Sequence, residues 1–245
     1  MLTNQSTLTR AGALRWLDKL EEAQPAFTAY FTPSMPGPEI EKTLLAVLDR
    51  GQLLYEIAGK VEKSPTGAIV LYFMDKTFVI WPPFPLKENK VVRSYDAGLL
   101  KMMLEHDWRL GLVLIRLGHY AIGIFQGERL IEGKAGTGLV HARHHKGGSS
   151  ANRFARHREK QMEYFFTRVE IHAREIIEPH LKEIDFILYG GTRDTLQVMW
   201  RQCSFFNNLQ SKTIGRLLSV REPKRSSFEE AIGLAYMSTV FEIKE

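Results

Sequence analysis

Apolar residues recur along the chain at two spacings, and the change from one to the other predicts alternating helices and strands. A three-residue spacing predicts an amphipathic helix over residues 7–23, and a second helix follows a proline-rich connector at 32–39. Two runs rich in β-branched and aromatic residues, 68–73 and 77–81, flank a short turn and predict a β-hairpin. Residues 1–95 are therefore expected to form a small N-terminal α/β section of unknown role, in which no pattern indicates catalysis.

The second half of the chain begins with strand patterns. After a short predicted helix at 97–104, three strand-like runs occupy residues 110–117, 120–126 and 130–138. Short connections that each contain a glycine separate these runs, so an antiparallel meander is expected. A long helix is predicted next, with an apolar stripe formed by Phe154, Met162, Phe165, Val169, Ala173 and Ile176. At 1.5 Å per residue this helix would be roughly 40 Å long.

Helices and strands alternate in the remainder of the chain. The pattern predicts a buried strand at 184–191, a helix at 192–201, a strand at 212–220 and a final helix that starts at Ser226 and Ser227. This alternation favours a mixed sheet with helices packed on it. The fold class is therefore expected to be α/β, with residues 96–245 as the second domain.

The distribution of charge along the sequence indicates where a charged partner would bind. The net charge of the 245-residue chain is only +5, but the basic excess is concentrated near residues 143–160, which indicates a phosphate-rich partner at one place. Cys203 is the only cysteine and stands among apolar residues, so we expect it to be buried in the core, in a reducing, cytoplasmic compartment. The chain has no signal-peptide pattern and no apolar run of membrane-spanning length, so no membrane partner is expected. The sequence leaves the oligomeric state open.

The basic segment HARHHKGGSSANRFARHREK, residues 141–160, has six Lys or Arg residues against one acid. The adjacent glycines Gly147 and Gly148 would let backbone N–H groups approach a ligand closely, because no Cβ intervenes. A solvated basic loop is the alternative interpretation. His141, His144 and His145 lack a carboxylate or cysteine at ligand spacing and have cationic neighbours, so neither a metal nor another cofactor is expected.

This segment resembles the GGQ segment of the eukaryotic and archaeal class-1 peptide-release factors, whose pattern is Gly-Gly-Gln-Ser-Ala-x-Arg-Phe-x-Arg-x-Arg. The matching positions are Gly147, Gly148, Ser150, Ala151, Arg153, Phe154, Arg156 and Arg158. Flanking stretches such as YAIGIFQGERLIEGKAG and FILYGGTRDTL extend the resemblance over about 110–235. By architecture the chain is most similar to the release-factor-like peptidyl-tRNA hydrolases of ribosome quality control. The resemblance implies an RNase H-like α/β domain with a protruding basic loop, which reaches the peptidyl-transferase centre of the large ribosomal subunit.

The sequence departs from the family at one position, where Ser149 replaces the glutamine. The implied reaction is hydrolysis of the ester between peptide and tRNA, for which backbone N–H groups at Gly147, Gly148 and Ser149 would stabilise the oxyanion. Ser149 and Asn152, the only side-chain amide in the loop, are candidates to replace the glutamine in part. The alternatives are a loop that only plugs the site, and an Asn152 that caps the long helix.

The other residues of the segment are expected to contact the tRNA acceptor end or ribosomal RNA. These candidate RNA-binding residues are Arg143, His144, His145, Lys146, Arg153, Arg156, Arg158 and Lys160. Arg153, Arg156 and Lys160 should share one flank of the helix, the alternative being a solvated helix face. The two histidines have a second interpretation as general bases. Phe154 is expected to pack in the core at the root of the loop.

The sequence therefore favours a peptidyl-tRNA hydrolase that frees nascent peptides from stalled large subunits. A non-catalytic ribosome- or RNA-binding factor that uses the same loop is the main alternative. An RNase H-type nuclease would need a carboxylate cluster at strand ends to hold Mg²⁺. The predicted strands at 110–117 and 120–126 contain no carboxylate, which disfavours that third class.

Overall fold

The computed structural model describes residues 2–22, 25–49, 51–140 and 151–244. The strands, in chain order, are β1 (Leu2–Leu8), β2 (Phe27–Phe31), β3 (Ala68–Tyr72), β4 (Lys76–Trp81), β5 (Lys90–Val92), β6 (Arg109–Arg116), β7 (His119–Gln126), β8 (Arg129–Thr137), β9 (Phe186–Gly191), β10 (Thr213–Leu218) and β11 (Ser238–Lys244). The helices are α1 (Arg10–Glu21), α2 (Gly37–Leu45), α3 (Gln52–Glu62), α4 (Gly98–Glu105), α5 (Ala151–Ile177), α6 (Arg193–Gln202) and α7 (Ser227–Ala235). Short 3-10 helices follow α5 (Glu178–His180) and α6 (Ser204–Lys212).

The chain forms two compact units, residues 1–106 with 235–245, and residues 107–234. This division differs from the expected boundary at residue 95, because α4 and the last strand belong to the first unit. The reason is the pairing of β11, which lies between β1 and β4 in the first sheet although it follows the second unit in sequence.

The first unit contains an antiparallel six-stranded sheet in the order β1-β11-β4-β3-β2-β5. Helices α2 and α3 cover one face, where Ile40, Leu44 and Ile57 pack against strand residues that include Val70 and Phe241. Nearly every residue of β2, β3 and β4 is buried, so both faces of these central strands are covered.

Several elements of the first unit differ from the expectation. Helix α1 begins at Arg10 rather than at residue 7, since the Thr9 side chain accepts a hydrogen bond from the Gly12 amide and caps the helix. The residues before Thr9 form β1 instead. The expected hairpin is confirmed as β3 and β4, whereas β1, β2, β5, β11 and α3 were not anticipated.

The second unit contains a mixed five-stranded sheet in the order β10-β9-β6-β7-β8. Strands β6, β7 and β8 form the expected antiparallel meander, and β9 and β10 add in parallel. Helix α5 packs its apolar stripe on this sheet, with Phe165, Val169 and Ala173 against residues of β6, β7 and β9. The predicted α/β class, an RNase H-like mixed sheet with packed helices, is therefore confirmed. The loop expected to protrude between β8 and α5 lies outside the described residues.

Within the described part of the chain, no helix combines the length and the apolar character that crossing a bilayer requires.

Candidate functional site

The basic segment connects β8 to α5, and the structure describes both of its ends. Gly147, Gly148 and Ser149 lie outside the described residues, as do the predicted RNA contacts Arg143, His144, His145 and Lys146. The site is therefore described from the two elements that support the segment, the end of β8 and the whole of α5.

Three polar contacts join β8 to α5 and the turn that follows it. They are the Arg168 guanidinium to the Thr137 carbonyl (3.2 Å), the Lys134 ammonium to the Glu175 carboxylate (2.6 Å), and His180 to the Glu132 carboxylate (3.3 Å). The hydrogen bond from Lys134 holds the pKa of Glu175 below its usual range, so that carboxylate is ionised at neutral pH. We call these six residues the β8–α5 clamp.

Close packing at Gly138 adds to this clamp. A Cβ atom at Gly138 would lie 2.8 Å from the Phe165 ring, which is closer than carbon atoms normally approach. The Gly138 amide donates to the Gly118 carbonyl at 3.0 Å, so the chain stays tied to the β6–β7 turn after β8 has ended. The chain that leaves β8 is therefore tied to the β6–β7 turn by a backbone hydrogen bond and packs against α5 at the Phe165 ring.

The buried Tyr120 and the half-buried His172 form a further contact beside the clamp. The Tyr120 hydroxyl shares a hydrogen bond with Nδ1 of His172. Burial lowers the pKa of His172 below its ordinary value of 6.5, and the Lys134 and Arg168 cations lower it further. Burial also raises the pKa of Tyr120. The pair is therefore uncharged at neutral pH, and it joins α5 to β7.

The N-terminal part of helix α5 extends beyond the hydrophobic core. Phe165 is its first buried residue, and residues 153–160 are exposed or half-buried. The half-buried Met162 also packs against the core, so about eleven residues, from 151 to 161, extend for roughly 16 Å beyond the packed part of the helix. This extension carries four basic residues and one acidic residue between 153 and 160, so it is a cationic surface directly beside the segment.

The basic residues of this extension do not all lie together. Arg156 and Lys160 line one groove along α5, as the predicted shared flank requires, but Arg153 is not part of that groove. The same groove is lined by Glu159, Glu163 and Glu170, so this flank has mixed charge.

Arg158 points elsewhere and contacts the sulfur of Met162 at 3.1 Å. Asn152 lies in the first turn of α5, which begins one residue earlier, rather than at the N-cap position. The structure describes the backbone of Asn152 but not its side chain.

The expectation that Phe154 packs in the core was wrong. Its side chain is 45% exposed, and the Arg153 guanidinium lies over its ring at 5.8 Å. The apolar stripe of α5 begins at Phe154, before the part of the helix that the sheet covers. All residues from 153 to 157 are therefore exposed. Phe154 is thus part of the exposed cationic surface.

Cys203 is buried, as expected, with 1% of its side chain exposed. Burial raises the pKa of its thiol to about 12, so the thiolate that a nucleophile requires is scarce at neutral pH. Among the residues that the structure describes, no three His, Cys, Asp or Glu side chains are grouped to hold a metal ion.

Sequence reasoning identified the segment but not the clamp. Lys134, Arg168 and Glu175 of the clamp, and His172 beside it, lie on exposed or half-buried positions of ordinary amphipathic elements, and each has a partner far away in sequence. The only sign of these contacts in the sequence was the glycines at the end of β8. Glycines have no side chain and so allow close packing.

Comparison with known proteins shows which family has a chain similar to this one. The family model described as "Actinobacteria/chloroflexi VLRF1 release factor" matches residues 108–240, which is more than half of the chain. The curated relatives include peptide chain release factor subunit 1 of Aeropyrum pernix, 25% identical over 149 residues (57% of this chain and 38% of the relative). The protein of the same name from Pyrobaculum aerophilum is 31% identical over 121 residues (48% and 31%). The chain thus spans less than half the length of these relatives.

Two solved structures are also similar. An archaeal translation termination factor, aRF1, aligns with a TM-score of 0.42 at 17% identity, covering 91% of this chain and 69% of that one. Dom34 of S. cerevisiae, a translation termination-like factor, aligns with a TM-score of 0.31 at 5% identity, covering 75% and 61%. The family assignment rests on the match over residues 108–240, which includes the basic segment and both of its supports: this protein belongs to the Actinobacteria/chloroflexi VLRF1 release factor family.

Proposed function

We propose that the protein is a peptidyl-tRNA hydrolase that frees nascent peptides from stalled large ribosomal subunits, with Ser149 at the position of the usual loop glutamine. The observation that carries this proposal is the family match, which spans β6 to β11 and includes the segment with Gly147 and Gly148. The tRNA acceptor end and ribosomal RNA are the proposed partners. No cofactor is required, because the substrate ester is already activated.

The chemistry requires a positioned water molecule and stabilisation of the oxyanion that develops on the ester carbonyl. Backbone N–H groups at Gly147, Gly148 and Ser149 would supply the second requirement without a side chain. The loss of one positioned polar group commonly lowers the rate by about 10²–10³-fold. We therefore propose a working but slowed hydrolase.

The clamp supports this proposal because catalysis depends on where the segment is held. A misplacement of about 1 Å can lower a rate about 10²-fold. Contacts such as Lys134–Glu175 and Arg168–Thr137 fix β8 against α5, so both ends of the segment are anchored to one rigid core. The roughly 16 Å extension of α5 then carries the segment away from that core.

A second candidate is a non-catalytic ribosome- or RNA-binding factor that uses the same segment. Ser149 is the observation that favours it, since the residue most associated with the family's chemistry is absent. The cationic surface of α5 suits both candidates equally, so only an activity measurement separates them.

RNA binding through this surface should depend strongly on salt. With five or six phosphate contacts, the logarithm of the binding constant should fall with log[salt] at a slope of about −4 to −5. Replacing the exposed Arg156 with alanine should weaken binding to large subunits and reduce that slope by about one. Filter binding across a salt series measures both quantities.

The matched control is Lys42→Ala, which removes one positive charge from an exposed position of α2 in the first unit. It should leave the slope unchanged. An association that does not depend on salt, or an equal response of the two variants, would contradict the assignment of the α5 surface to RNA.

The substitution Ser149→Gln tests the proposed hydrolase directly. It should raise the rate of peptide release from purified peptidyl-tRNA–large-subunit complexes by about 10–10²-fold and leave ribosome affinity unchanged, because the added amide acts on the transition state. Ser150→Gln is the matched control, with the same side chain one position further on.

A wild-type protein that occupies the subunit but releases no peptide above background, in an assay where an active release factor works, would reject the hydrolase. The same observation would leave the binding factor as the function.

A further inference from the structure

We propose that the protein forms a symmetric dimer through antiparallel pairing of the β1 strands of two copies. β1 is the outer strand of the six-stranded sheet, and β11 pairs with one of its edges from Leu2 to Leu8. In the described part of the chain, no strand pairs with its other edge. Backbone N–H and C=O groups alternate between the two edges of a strand, so about half of the residues in β1 direct theirs outward.

The other edge strands carry features that hinder pairing with a further chain, and β1 carries none of these. β5 has only three residues and begins with Lys90. β8 contains three charged residues and a register shift against β7, and β10 contains Arg216 and a register shift against β9. β1 has seven residues in unbroken register, with no charged residue and no proline. Charges, bulges and short length are the usual protection of a sheet edge.

The sequence of β1 is nearly the same in both directions. It reads Leu-Thr-Asn-Gln-Ser-Thr-Leu, with Gln5 at its centre. Two antiparallel copies centred on Gln5 would place Thr3 opposite Thr7 of the second copy, and Asn4 opposite Ser6. Such pairs can hydrogen-bond across strands, and no like charges meet. The strand is therefore complementary to itself in this register.

This self-complementarity identifies the occupant as a second copy of the chain. A two-fold axis through Gln5 would repeat every contact, which gives a closed, isologous interface. Side chains of residues 3–7 are exposed, and no described strand other than β11 pairs with β1. One added strand pair buries less surface than a standard stable interface, so the dimer should form with a Kd in the micromolar range.

Two variants that place a positive or a negative charge at position 5 test the proposed register of the two β1 strands. Gln5→Lys and Gln5→Glu each place two like charges face to face across the two-fold axis, and each should raise the dimer Kd about tenfold or more. An equimolar mixture of the two variants should restore the dimer, because unlike charges then meet. Sedimentation velocity over a concentration series measures all three. Met74→Lys, at a turn position that is 79% exposed, adds the same charge away from β1 and should leave the Kd unchanged.

A cross-linking variant gives an independent measurement. In Gln5→Cys the two new thiols would face each other at the Cα spacing of an antiparallel pair, about 4.5–5.5 Å, which a disulfide can bridge. Cys203 is buried, so mild oxidation should link chains through position 5 alone. A wild-type chain that stays monomeric up to about 200 µM would overturn the proposal, since micromolar affinity predicts dimers there. A dimer that neither charge variant weakens, or a cysteine variant that does not cross-link, would overturn it equally.

Discussion

Replacing Gly148 with valine is expected to remove nearly all peptide release, a loss of about 10³-fold or more, while the protein still folds. A β-branched side chain would forbid the backbone conformations that glycine allows and would obstruct the approach of backbone N–H groups to the ester. The three contacts Arg168–Thr137, Lys134–Glu175 and His180–Glu132, which join β8 to α5 and the turn after it, do not involve position 148. The melting temperature should therefore change little. Single-turnover release from stalled large subunits and a thermal melt measure the two effects.

The matched control for this change is Ser149→Ala, which removes a hydroxyl but keeps the backbone. It should lower the release rate only slightly if backbone N–H groups carry the reaction. A Gly148→Val protein that releases peptide at the wild-type rate would contradict the proposed role of the backbone. A severe loss in Ser149→Ala would instead assign the chemistry to the serine hydroxyl.

The largest loss of stability is expected from Gly191→Ala in the second unit. Gly191 ends β9 with a φ of 125°, and it pairs with Ile115 of the neighbouring parallel strand β6. A Cβ atom there would overlap the carbonyl oxygen of Ile115, which is backbone and cannot rotate away. Strain in φ and this overlap together should cost about 3–5 kcal/mol. The Tm should fall by roughly 10–20 °C.

Gly233→Ala is the control for this substitution, since it makes the same chemical change inside α7. Apart from the adjacent residues and the backbone of α7 itself, no atom lies within 4 Å of a Cβ placed at Gly233, and alanine is favoured over glycine in helices by about 0.5–1 kcal/mol. That variant should match or exceed the wild-type Tm in a calorimetric scan. A Gly191→Ala protein that melts within about 2 °C of wild type would refute the packing argument, because the expected shift is several times larger.

Local periodicity in the sequence determined the elements whose residues are neighbours along the chain. The hairpin β3–β4, the meander β6–β7–β8 and helix α5 follow from apolar spacings and glycine-containing turns. The basic segment is also local, so the sequence by itself determined the motif on which the family resemblance rests. These features need no long-range contact to be recognised, which is why they were predicted within a few residues.

Tertiary structure alone decided the elements whose partners are far away in sequence. Strands β1 and β11 lie at opposite ends of the chain and pair with each other, which moves residues 235–245 into the first unit. The polar β1 has no apolar alternation that would mark it as a strand. Its hydrogen bonds to β11 stabilise it instead, and no local pattern reveals these bonds.

The candidate site divides in the same way. Its proposed chemistry, at Gly147 and Gly148 with Ser149 at the position of the usual glutamine, comes from the sequence. Its support is a matter of structure: the contacts Lys134–Glu175 and Arg168–Thr137 join residues more than thirty positions apart. Phe154 shows the limit most directly, because its place in the apolar stripe of α5 predicted burial. Periodicity gives the face of a helix on which a residue lies, but only the extent of the neighbouring sheet decides whether that face is covered.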